Sequence, residues 1–185
     1  MNAPLALDPG VGYTVAIAFA LLFAHAALGK WRELGEFRAV LDNYRILPPP
    51  LVATAALVVP VLETVVALSL LAAPTRPWGA AAGAALLLAY ATAIAINLRR
   101  GRSDLDCGCA GPADRRPIAH WMVWRNGVLG MVLAVAGLKW SDRALAWTDA
   151  ITVGGGVAVL VLLYVTLDRL LGQIMPRTAA LRGAR

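Results

Sequence analysis

Two cysteines separated by a single glycine, Cys107 and Cys109, are the residues best suited to chemistry in this chain of 185 residues. They stand in the run Asp106-Cys107-Gly108-Cys109-Ala110-Gly111-Pro112. Thiols this close can form a small, strained disulfide ring, and Gly108 and Gly111 supply the backbone freedom such a ring requires. A strained, exposed disulfide has a higher reduction potential than a structural one and exchanges more readily with another thiol pair. Neighbouring arginines favour thiolate, while Asp106 opposes them. Redox exchange is the leading reading. Inert loop cysteines and half of a metal site are the alternatives. A zinc site takes about four ligands. His25 and His120 are the only histidines, and there is no second cysteine pair, so no metal is expected.

Other polar residues are expected to support these thiols. Glu63 lies near the middle of an apolar run, three residues after Pro60. A carboxylate at that depth is costly unless it is neutral, paired or facing a polar cavity. Pro60 frees a backbone carbonyl nearby. Glu63 therefore reads as a proton-relay or quinone-contacting group, or as a protonated hydrogen-bonder between helices. At 1.5 Å rise per residue, His25 is about 7 Å below the end of the first apolar run. Asn97, Arg125 and Asn126 fall at a similar level in the third and fourth runs. Together they predict a polar pocket roofed by the cysteine loop, with Arg125 long enough to snorkel to the surface or reach toward Glu63.

The elements that must position these residues are apolar and long. The chain is 59% hydrophobic and 15% charged, against about 25% charged in ordinary soluble domains. Five runs are long and apolar enough to span about 30 Å of hydrocarbon: about 12–29, 51–73, 78–98, 119–138 and 150–167. Trp78, Trp121, Trp140 and Trp147 mark their ends, where amphipathic rings prefer the headgroup level. Residues 1–11 read as an N-terminal tail without the basic start of a cleaved signal, 12–171 as the transmembrane bundle, and 172–185 as a basic tail. Between the first two runs, Trp31, Leu34, Phe37, Leu41 and Tyr44 recur at helical spacing, with charges on the other faces. This predicts an interfacial amphipathic helix over about 31–47, ended by Pro48, Pro49 and Pro50.

The net charge of +6 is distributed between the apolar runs and forms no separate basic domain. A bilayer is therefore the expected partner, not nucleic acid. Five spans put thirteen Lys and Arg on the side of the cysteine loop and three on the other. The positive-inside rule then places the cysteine loop and C-terminus in the cytoplasm and the N-terminus outside, in a multi-pass protein of the inner (plasma) membrane.

The residues quoted so far carry a resemblance. Asn97-Leu98-Arg99-Arg100-Gly101-Arg102, the Asp106–Gly111 block and Arg125-Asn126 resemble the MauE branch of the MauE/DoxX membrane family. Gly29-Lys30-Trp31, the stretch through Phe37 and Tyr44 to Leu47-Pro48, and Pro60-Val61-Leu62-Glu63 follow that family's order. The resemblance covers about Ala16 to Gly137, and the family often has an aromatic residue where Ala110 stands. It implies an all-α, four-helix DoxX-like core, with the fifth run as a C-terminal extension. It also implies a redox-associated role in methylamine utilisation, with a thioredoxin-like (MauD-like) partner, in maturing the disulfide-rich small subunit of methylamine dehydrogenase. On this reading Cys107 and Cys109 exchange with that partner. His25, Asn97, Arg125 and Asn126 support them, and Glu63 handles a proton or a quinone. A non-catalytic membrane scaffold and a small-molecule or metal transporter are the rival readings.

Overall fold

The computed structural model describes residues 8–108, 116–138, 140–141 and 143–183, with side chains as far as Gln173. The chain is an all-α membrane helix bundle. Its helices are α1 (Pro9–Arg32), α2 (Leu34–Tyr44), α3 (Pro49–Leu71), α4 (Arg76–Arg99), α5 (His120–Ala136) and α6 (Trp147–Gly183). Helix starts follow local chemistry. Asp8 caps α1 by accepting a 2.8 Å bond from the Gly10 amide, and Pro9 needs no donor at the first position. Pro49 and Pro77 likewise fall in first turns. α2 ends at Arg45, whose φ of 47° reverses the chain.

Four helices, α1, α3, α4 and α6, are long and apolar enough to cross a membrane. α5, expected as the fourth of five spans, has 17 residues and is about 26 Å long at the α-helical rise. It is cut short by the cysteine loop before Ile118 and by the turn at Gly137. Even so, it runs antiparallel to α4 over most of that helix. Its start packs near Ile94, and a Cβ on Gly137 would meet Ala80 at 2.8 Å.

Two apolar layers hold the bundle. One joins Phe19, Phe23, Val66, Leu70, Leu87 and Leu133 between α1, α3, α4 and α5. Gly83 lets the helices close there, since a Cβ would stand within 3.0 Å of Leu133, Phe23 and Val66. The second layer joins Tyr44, Ile94, Leu105, Ile118, Trp121 and Met122 beneath the cysteine loop. α6 lies mainly outside both layers, against α1, where Gly156 meets Thr14, with Leu171 packed on the second layer. From Trp147 to Gln173 it buries only Asp168.

The end of the bundle away from the cysteines carries a cation stack. The Arg76 guanidinium lies 4.6 Å from the Tyr13 ring centre and 4.1 Å from that of Trp140, and its Nε donates to the Leu70 carbonyl at 3.1 Å. Nearby, Arg143 bridges Asp8 and Asp149. The Arg143 hydrogen bonds hold the Asp8 carboxyl below its usual range.

α2 follows the direction of α1 after a break at Glu33, packs along α3 and turns Phe37 and Tyr44 toward α4. Phe37 shares a cavity wall with Tyr90, and at the far end the Arg45 carbonyl accepts from Arg100 at 3.1 Å. It buries Phe37 and Tyr44, and its charged residues stay exposed.

Candidate functional site

The cysteine loop opens from a short antiparallel pairing. The Cys107 amide donates to the Arg116 carbonyl at 3.1 Å, and Ile118 donates to Leu105 at 2.8 Å, around the bridge between Asp106 and Pro117. Cys107 is half-buried and disulfide-bonded. The only other cysteine of the sequence, Cys109, lies outside the described residues, as do Ala110 and Gly111. From α2, the Tyr44 hydroxyl donates to the Cys107 carbonyl at 3.2 Å. Burial, with the Asp106 carboxylate adding to it, pushes the Tyr44 hydroxyl well above the ordinary tyrosine range, so it stays a neutral donor.

Gly108 sits at φ +63°, and a Cβ there would stand 2.9 Å from Val40 Cγ1. Gly108→Ala is therefore expected to cost about 1–2 kcal/mol from backbone conformation alone, plus the clash, read as a lowered thermal midpoint. Adding Val40→Ala should recover only the clash. Full recovery would show that the left-handed backbone is not required.

Below the loop the expected single pocket is divided. Glu63 is fully buried, and so is Lys30, whose Nζ donates to Glu63 Oε1 at 2.9 Å. The Tyr90 hydroxyl donates to the same oxygen at 2.6 Å. The Lys30 ammonium also faces two rings, 5.3 Å from the centre of Phe37 and 5.5 Å from that of Tyr90. The pairing follows from helix direction. Side chains tilt toward the N-terminus of their own helix. Because α1 and α3 are antiparallel, Lys30 reaches down into the bundle and Glu63 reaches up to meet it. Among the described residues Glu63 Oε2 has no hydrogen-bond partner. Beside the pair, Trp31 donates to Thr64 at 3.2 Å, tying α1 to α3.

The other expected residues are distributed around this cluster. Asn97 is fully buried, accepting from Arg102 at 3.3 Å and donating to the Ala93 carbonyl at 3.2 Å. Arg125 turns away from Glu63 and pairs with Asp168 of α6, which also pairs with Arg116 at the base of the cysteine loop. Asn126 is buried, with its Nδ2 lacking an acceptor among the described residues. His25 does not join the group. α1 buries Ala16, Phe19, Ala20, Phe23, Ala26, Ala27 and Lys30 along one stripe, and His25 lies off that stripe and is exposed. Its depth matched the others, but its angular position did not.

Four functional candidates are absent from the expected list: Lys30, Tyr90, Tyr44 and Asp168. Lys30 was counted as a loop charge because it ends an apolar run. Removing it from the charge tally, and buried Arg76 from the other side, leaves twelve against two. Asp168 had a usable signal, as the one acid at the end of the last apolar run.

A small, largely apolar cavity of about 50 Å3 lies between α2, α4 and the cysteine loop. Its walls include Cys107, Gly108, Tyr44, Phe37 and Tyr90. Of the buried cluster only Tyr90 lines it, and Lys30 and Glu63 do not.

Comparison with known proteins converges on one group. A family model described as methylamine utilisation protein MauE matches residues 9–139. The methylamine utilization protein MauE of Paracoccus denitrificans is 39% identical over 179 residues, covering 96% of this chain and 96% of that protein. The protein of the same name from Methylophilus methylotrophus is 36% identical over 167 residues, covering 89% of this chain and 88% of the relative. No solved structure matches.

Proposed function

The chain belongs to the MauE family of methylamine utilisation proteins, and on that basis we propose that it is a membrane thiol–disulfide component acting through Cys107 and Cys109. The observation that carries this reading is the disulfide-bonded Cys107 in a loop held at one end of the bundle by Tyr44 and the Arg116 carbonyl. The partner is a thioredoxin-like protein, and the process served is maturation of a disulfide-containing enzyme subunit. A thiolate attacks the partner disulfide and passes through a mixed disulfide. The wide Lys and Arg asymmetry supports a cytoplasmic cysteine loop in an inner membrane. An impermeant thiol reagent applied to intact cells after reduction tests that side, and labelling from outside would reverse the orientation.

Cys107 is half-buried against α2, so Cys109 is assigned as the attacking thiol and Cys107 as the resolving one. Cys107→Ser should then accumulate a mixed disulfide with a thioredoxin-like protein, visible on non-reducing gels and lost on reduction. Absence of any adduct, with both single cysteine variants still supporting subunit maturation, would refute the redox function.

A further inference from the structure

We propose that Tyr44 is the positioning residue of the thiol–disulfide site: it grips the backbone inside the disulfide ring, favours the oxidised pair, and makes the end of α2 the element that responds to reduction. The inference deepens the thiol–disulfide reading above and rests on it.

Covalent connectivity supplies the first step. Cys107 is disulfide-bonded, and Cys109 is the only other cysteine of the chain. The bond therefore closes a ring whose backbone begins with the peptide joining Cys107 to Gly108. That peptide is planar, so holding its carbonyl oxygen orients the whole unit. The Tyr44 hydroxyl donates to that oxygen at 3.2 Å. The Arg116 carbonyl accepts instead from the Cys107 amide, which belongs to the peptide before the ring. The Tyr44 bond thus acts on the ring itself, and the Arg116 bond on its entrance.

The seat of the ring is the second step. Gly108, the residue between the two cysteines, sits at φ +63°, and a Cβ there would lie 2.9 Å from Val40 Cγ1. Val40 stands one turn before Tyr44, and residues four apart share a helix face. One face of α2 therefore supplies both contacts to the ring. That end of α2 is itself anchored. Tyr44 is buried with Ile94, Ile118 and Met122, and the Arg45 carbonyl accepts from Arg100, at the end of α4, at 3.1 Å. The hydroxyl is presented from a fixed side chain. Burial keeps it neutral, so it remains a donor wherever thiols exchange.

The preference for the oxidised pair follows. Reduction removes the covalent restraint on Gly108. Glycine has many other conformations open to it, and the Cys107–Gly108 peptide is then free to turn away from Tyr44. A contact made more fully in the disulfide than in the dithiol shifts the balance toward the disulfide by its differential free energy. The coupling is reciprocal, so the disulfide also fastens the last turn of α2. α2 buries only Phe37 and Tyr44, which makes that turn sensitive to losing the contact.

The test equilibrates the full-length protein in lipid nanodiscs with reduced and oxidised glutathione. Samples are quenched in acid and alkylated, and the dithiol fraction is read by mass. Two glutathione thiols give two electrons and two protons to the Cys107–Cys109 bond and leave as glutathione disulfide, so the midpoint reports the reduction potential. Tyr44→Phe removes only the hydroxyl. It should shift the equilibrium about fivefold toward the dithiol, the scale of one neutral hydrogen bond. That is about 20 mV less negative, at about 30 mV per tenfold for two electrons. Thr64→Val removes a hydroxyl that bonds Trp31 between α1 and α3. It should leave the midpoint at the parental value, which separates positioning from a general loss of stability.

Amide hydrogen exchange needs no variant. Reducing the parent protein should raise exchange over residues 41–45, and in Tyr44→Phe that exchange should be raised before reduction. A parental midpoint in Tyr44→Phe, an equal shift in Thr64→Val, or exchange over 41–45 indifferent to reduction would overturn the positioning role and leave the redox reading standing. A parent disulfide that never equilibrates with glutathione would overturn both.

Discussion

Lys30→Met alone should remove most of the folded protein from the membrane, and adding Glu63→Gln should restore it. The single change strands a carboxylate that is fully buried and whose second oxygen already lacks a partner. Breaking a buried pair from one side costs about 3–5 kcal/mol, whereas removing both charges is often neutral. That single loss is a large part of the about 5–15 kcal/mol that holds an ordinary domain together. Thermal midpoints of the two single variants and the double variant, measured in the same detergent, close a double-mutant cycle. The expected coupling is strongly non-additive, with the double variant more stable than either single one. Additive losses would mean that Lys30 and Glu63 do not depend on each other.

The second large effect is expected at Asp168. This carboxylate pairs with Arg116 and Arg125, and the Asp168 backbone carbonyl also accepts from Arg116 at 3.0 Å. Arg116 in turn accepts from the Cys107 amide. Asp168 is thus the one buried residue of the α6 segment from Trp147 to Gln173, and it ties that segment to the base of the cysteine loop. Hydrogen bonds to charged groups contribute about 1.5–3 kcal/mol each, discounted here because Arg116 is partly solvated. Asp168→Asn should loosen the loop and the end of α6 together. The expected readouts are faster reduction of the disulfide by a small dithiol and new protease cleavage beyond Asp168. Asp168→Glu should recover part of both. A reduction rate unchanged in Asp168→Ala would detach α6 from the cysteine site. The family match ends at 139, but the Paracoccus denitrificans relative aligns over 96% of the chain, so α6 falls within a shared length.

The bundle was legible in the sequence because apolar length is a one-dimensional property. Four of the five runs became the membrane-length helices α1, α3, α4 and α6, the run 119–138 became the shorter α5, and the cysteine loop fell at a bundle end as the helix directions require. The pocket was less legible, because depth along a helix does not specify direction around it. His25 and Lys30 illustrate the difference. They are five residues apart, and the stripe that buries Lys30 leaves His25 exposed. Arg125 failed in another way. Its counter-charge, Asp168, comes from a helix that buries almost nothing, so no hydrophobic pattern announced the contact. Tyr90 carried no signal at all, as a tyrosine within an apolar run is ordinary until its hydroxyl is seen to meet a carboxylate.

The stack of Tyr13, Arg76 and Trp140 has a consequence for how the molecule handles charge. The Arg76 charge is held between a ring from α1, the Trp140 ring and the Leu70 carbonyl of α3, and the Lys30 charge between the Glu63 carboxylate of α3 and rings from α2 and α4. Each cation therefore works as a rivet shared by several helices, and neither can be withdrawn without loosening the helices it fastens.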